Sequence, residues 1–113
     1  MLKKGHRLKK KKDFERVSMQ GGVERSGFLV LRFVRNNEDK TRVGFVCSKK
    51  ISKKAVVRNK IRRRMKQAVR KQHVFLKKGY DIVFFARPAI TNKDFWDIEK
   101  DIGQILKDAK LLS

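Results

Sequence analysis

The chain has 113 residues, 40% of them hydrophobic, and a formal net charge of +21 from 32 basic and 11 acidic side chains. This length suits one domain, and the apolar fraction excludes wholesale disorder. The single cysteine excludes an internal disulfide, and a pI near 10.8 points to a polyanionic partner, nucleic acid before an anionic membrane surface.

Residues 1–8 read as a mobile basic arm on a single domain spanning 1–113; the start, MLKKGHRLKKKKDF, lacks the apolar stretch of a secretory signal. Residues 12–20 read as a short helix, with Phe14 and Val17 able to share a face, stopped by Gly21 and Gly22. FLVLRFVR (28–35) and TRVGFVCS (41–48) are rich in strand formers. The short polar link between them predicts an antiparallel hairpin. Leu29, Leu31 and Phe33 fall on one face of the first strand and Phe28, Val30 and Arg32 on the other. One face must meet helices; the other is either covered too or a binding surface. Cys47 follows Val43 and Phe45 on its face and reads as a buried small hydrophobe.

Residues 57–76 form the main predicted helix, with Val57, Ile61, Met65, Ala68 and Val69 as its apolar stripe. DIVFFAR (81–87) is apolar almost throughout and reads as a buried central strand ended by Pro88, with Asp81 as a turn or cap residue. Residues 91–110 read as a closing helix, N-capped at Thr91 or Asn92, with Thr91 and Asp94 resembling a capping box. Its apolar face is Phe95, Ile98, Ile102, Ile105, Leu106 and Ala109. This order gives one mixed sheet with helices packed on it.

Between Lys40 and Tyr80 there are 16 basic residues and no Asp or Glu. A solvated Lys-rich face normally carries compensating acids one turn away, and here there are none. Arg58, Arg62 and Lys66 recur at i, i+4, i+8, while Lys60, Arg63, Arg64, Arg70 and Lys71 spread around the helix. Arginine binds phosphate bidentately and stacks on bases, lysine supplies a point charge, and Asn59 adds an amide that both donates and accepts. A phosphate backbone matches both the sign and the extent of this charge. Nothing comparable points to catalysis: there is no CxxC, HExxH, Walker loop or GxSxG. His6 and His73 have no sequence neighbour to poise them and read as solvent-exposed or packing residues.

The segment SKKISKKAVVRNKIRRRMKQAVR, from Ser48, resembles the signature of the bacterial ribonuclease P protein component. Ser48, Lys49, Lys50, Ala55, Val56, Arg58, Asn59, Arg62 and Arg63 match it; at Lys60 the family often has Arg. RLKKKKDFERV, FLVLRF, RVGFVCSKK and DIVFFAR resemble the flanking family segments in order, so the likeness spans roughly residues 7–110. It implies an α/β (α+β) two-layer sandwich of order αβββαβα. Its four-stranded mixed sheet would gain a short strand near 23–25, and the βαβ crossover would be left-handed, against the usual rule. It also implies an accessory subunit without catalytic residues of its own, in a ribonucleoprotein whose RNA removes the 5′ leader from precursor tRNA with Mg²⁺ bound mainly by RNA. The partners implied are that RNA and precursor tRNA, with no membrane and no obligate protein partner, and the location is cytoplasmic, which a lone thiol fits. Lys49, Lys50, Lys54, Arg58, Asn59, Lys60, Arg62, Arg63 and Lys66 are the expected RNA-binding residues. Phe14 matches a cleft aromatic, and Leu29, Leu31 and Phe33 are the expected floor of a leader cleft. Where the family often has a second aromatic in the first helix, this chain has Ser18. A structural RNA-binding protein of ribosomal type is the principal alternative; a helix-based DNA-binding module and a protein-only nuclease are weaker ones.

Overall fold

The computed structural model describes residues 7–72 and 75–112. The elements are α1 (Lys11–Gln20), β1 (Gly22–Arg25), β2 (Leu29–Arg35), β3 (Arg42–Val46), α2 (Ala55–Gln72), β4 (Tyr80–Ala86), a 3-10 turn (Pro88–Asn92) and α3 (Phe95–Asp108). The four strands form one mixed sheet in the order β1-β2-β4-β3. DIVFFAR takes a central position because it is apolar on both faces: Ile82, Val83 and Phe84 are all buried. The short strand implied by the family resemblance is β1, antiparallel to β2 with Glu24 opposite Leu31.

The expected β2–β3 hairpin does not form. β4 lies between them, antiparallel to β2 and parallel to β3. The link is instead tied across the start of β4. Asn36 N–H donates to the Gly79 carbonyl at 2.9 Å, the Thr41 hydroxyl donates to the Lys77 carbonyl, and Tyr80 N–H donates to Thr41 Oγ1. Gly79 meets the link with φ of +89°, a conformation that favours glycine.

Parity along the strands divides the core. Leu29 and Leu31 of β2, Val43 of β3 and Ile82 and Phe84 of β4 pack with Ile61, Met65, Ala68 and Val69 of α2 and Ile98, Ile102, Ile105 and Leu106 of α3. Val83 faces the other way, into a smaller cluster with Leu8 and Val17, flanked by Phe14, Val34, Val46 and Phe85. Thus α2 and α3 cover one face, and α1 covers part of the other.

Three boundaries differ from expectation. Arg7 and Leu8, assigned to the arm, belong to the fold: Leu8 is buried, and its N–H donates to the Val43 carbonyl at 2.9 Å. Residues 1–6, His6 among them, lie outside the described residues, as do His73 and Val74. The described part of α2 ends at Gln72 rather than Leu76, and Leu76 instead bridges to Leu112. The closing helix starts at Phe95, not Thr91. Pro88 opens a 3-10 turn in which the Thr91 hydroxyl donates to the Pro88 carbonyl, and the capping box is formed by Asp94 and Asp97.

Candidate nucleic-acid interface

With Ile61, Met65, Ala68 and Val69 buried against the sheet, the rest of α2 is a basic surface whose first turn contains no acid. Lys60 and Arg63 are exposed. Arg58, Arg62 and Lys66, one row along the helix, are half-buried. Lys49, Lys50 and Lys54 stand exposed on the loop that leads into α2.

The signature residues also organise one another. Arg58 donates to the Ser52 and Lys53 carbonyls at 2.9 and 3.0 Å, holding that loop against the helix. Arg62 donates to the Cys47 carbonyl at 3.3 Å and to Asn59 Oδ1. Each guanidinium has five N–H donors, so these bonds leave capacity for a phosphate. Burial pushes the Cys47 thiol above its ordinary value, outweighing the opposite pull of Arg62 and Arg58. Cys47 is a packed, buried side chain.

A cleft of about 130 Å³ opens where β3 meets both helices, lined by Leu8 and Phe14 on one side and Arg62 and Lys66 on the other. Arg7, Val43, Gly44 and Phe45 complete it. Phe14 lies directly on the β3 backbone, because a Cβ at Gly44 would come within 2.6 Å of its ring. Phe45 is held by stacking on Phe84, with centroids 5.8 Å apart. Arg7 Nε is buried here without a hydrogen-bond partner in the protein. Aromatic surface and three cations thus converge in one small cleft, the combination that single-stranded nucleic acid requires.

The α1 wall is fixed by a buried carboxylate. Asp81, fully buried at the start of β4, accepts hydrogen bonds from Arg16 of α1, from Arg42 Nε and Nη2 of β3 at 2.9 and 2.7 Å, and from Asn36 Nδ2 at 2.9 Å. The bond to Asp81 is the main reason the Arg42 guanidinium holds its proton more tightly than usual. Arg32 secures the other end of α1 through the Ser18 carbonyl.

A sequence model of the family described as Ribonuclease P matches residues 2–110. The chain belongs to the ribonuclease P protein family. The ribonuclease P protein component of Caldanaerobacter subterraneus subsp. tengcongensis is 36% identical over 111 residues, covering 98% of this chain and 95% of that one. The solved ribonuclease P protein of Staphylococcus aureus superposes with a TM-score of 0.88 at 28% identity, covering 96% and 98% of the two chains. That of Thermotoga maritima gives 0.82 at 29%, covering 90% and 96%. Membership makes the chain one part of an endoribonuclease assembly.

For a ribonuclease P protein, the expected site residues divide into two groups. Phe14, Arg62 and Lys66 are brought together in the cleft, and the remaining expected basic residues lie elsewhere on α2 and its loop. Leu29 and Leu31 are not its floor: both are fully buried beneath α2 and α3, and Phe33 packs against that same core. A base cannot stack on a side chain with no accessible surface. The sequence reading missed Arg7, Leu8 and Gly44, although Leu8, one apolar residue in a basic run, was a usable signal. It also missed the bridging role of Asp81. Among the described residues, no three His, Cys, Asp or Glu side chains cluster as a metal site. No helix there is long and apolar enough to cross a membrane.

Proposed function

We propose that this protein assists a catalytic RNA subunit in removing the 5′ leader from precursor tRNA. The basic surface of α2 and its loop lies against folded RNA, and the cleft between α1 and α2 holds the single-stranded leader. The observation that carries this reading is the convergence of Phe14 and Phe45 with Arg7, Arg62 and Lys66 in one cleft beside the family signature. Stacking supplies about 1–3 kcal/mol per base without reading sequence, which suits leaders that differ between tRNAs. The lysines and arginines replace counterions on phosphates, giving strong and salt-dependent affinity. By screening repulsion between substrate and RNA subunit they also lower the divalent cation needed for assembly. In this reading Mg²⁺ is held by RNA, and the protein's own contribution is binding and orientation.

The test is reconstitution with a bacterial ribonuclease P RNA and a precursor tRNA at low Mg²⁺. Added protein is expected to restore cleavage at the mature 5′ end. Tight RNA binding without stimulation would instead mark a structural RNA-binding protein, and cleavage without added RNA would mark a protein nuclease.

A further inference from the structure

Trp96, in the first turn of α3, is 69% exposed. Single exposed apolar residues are ordinary, but this one is held in place. Its ring meets Phe95 edge-on, with centroids 5.5 Å apart and planes at 73°. Lys71 Nζ, from the end of α2, sits 5.1 Å from the Phe95 centroid and 5.2 Å from the Trp96 centroid. Glu99 fixes that lysine at 3.3 Å. Beside the indole lies an open groove of about 370 Å³, lined by Gln72, Gly103, Gln104, Lys100 and Lys107 among others. Gly103 lies in the middle of α3, where glycine weakens a helix. Packing does not require it, since a Cβ there meets only Gln72, at 3.6 Å, an ordinary contact. What the glycine does provide is depth in the groove.

The chemistry of this surface selects its occupant. A protein docking on Trp96 would need apolar surface around it, and the rim is Lys, Gln and Glu99. Each nearby carboxylate has a partner, Glu99 in Lys71, Asp101 in Ser26, Asp108 in Gln104 and Asp97 in the helix cap, and of these Glu99 is paired with a cation. What remains is an aromatic face, the Gln72 amide able to meet a base edge, and Lys100 and Lys107, seven positions apart, near Lys71 at the indole. We propose that Trp96 and this groove form a second contact for single-stranded RNA, in which an unpaired base stacks on the indole and flanking phosphates meet Lys100 and Lys107. No residue lines both this groove and the Phe14 cleft, so the contact stands whether or not the cleft holds a leader.

Trp96 is the only tryptophan, so its fluorescence reports on this site alone. The full chain is titrated at about 0.15 M salt with an adenine-rich single-stranded RNA, with a duplex RNA, and with heparin, a polyanion without bases. Saturable quenching by the single strand, persisting in Phe14→Ala and not reproduced by heparin, is expected. By anisotropy of a labelled single strand, Trp96→Leu is expected to bind about tenfold more weakly and Trp96→Phe near wild type. Lys100→Gln with Lys107→Gln should lower the salt slope by about 1.4. The proposal is overturned if the indole signal does not change when the protein is saturated with RNA. It is equally overturned if heparin quenches as well as RNA, if quenching disappears in Phe14→Ala, or if the chain alone self-associates so that Trp96 is covered.

Discussion

Asp81 shows how one side chain can govern a site it does not line. Fully buried, it joins α1 through Arg16 to β3 through Arg42. Asp81→Asn removes the buried counter-charge shared by both guanidiniums and leaves Arg42 only its longer pairs with Asp13 at 3.7 Å and Glu38 at 3.9 Å. Because Arg16 and Arg42 keep 30% and 23% exposure and can rehydrate, the expected loss is near the lower end for a broken buried pair, about 3 kcal/mol. Urea unfolding measures it, and a change within error would remove Asp81 from this role. Asp101 gives a pH signature. Burial raises its pKa above the ordinary 3.8, although the Ser26 hydroxyl donates to it. The folded form then binds the proton more tightly than the unfolded form, so this group's contribution to stability falls as pH rises from about 3.8 through the raised value. Asp101→Asn should therefore gain on wild type over that interval and hold a constant advantage above it, as unfolding at several pH values would reveal. At this scale the alternation of β2 was legible in the sequence, but which parity faced the helices was not, since Leu29, Leu31 and Phe33 look no more buried than Val30 and Val34. Only the positions of α2 and α3 decide it.

At the scale of elements, α2 was legible because a 3.6-residue apolar stripe survives in a sequence otherwise dominated by charge. Four of the five residues the spacing picks out are buried, and Val57 is half-buried. The β2–β3 link was misread because a short polar connection looks the same whether its strands pair or straddle a third. The decisive partners, Gly79 and the Lys77 carbonyl, lie more than 30 residues away in the chain. The start of α3 was misread because Thr91 and Asp94 imitate a cap, while Pro88 had already committed Thr91 to a 3-10 turn. The basic face makes a graded prediction. Arg63 is exposed and without an intramolecular task among the hydrogen bonds above, so Arg63→Ala should lower the salt slope of RNA binding by about one. Arg58 holds Ser52 and Lys53 through one nitrogen, Nη1, so Arg58→Ala should cost more affinity than Arg63→Ala, and Arg58→Lys should not recover all of it because an ammonium that bonds both carbonyls has no second nitrogen left for a phosphate. Equal effects of the two alanine variants across a salt series would show that Arg58 is only a charge.

At the scale of the molecule, α2 and α3 on one face of the sheet give stability, while α1 and the Arg7–Leu8 segment at the β3 edge give the cleft its second wall. The family signature is a run in sequence, so Arg62 and Lys66, the α2 side of this cleft, were legible as neighbours along one helix row. The apolar half was less legible because Leu8, Phe14 and Gly44 are separated in the chain and converge only when the sheet forms. Function therefore turns on whether this assembled cleft holds the leader. The most direct test is the affinity of the reconstituted holoenzyme for leader-bearing precursor tRNA and for mature tRNA, measured with wild type and with Phe14→Ala. The expected result is a loss of about tenfold for the precursor and none for mature tRNA; an equal loss for both substrates would contradict it.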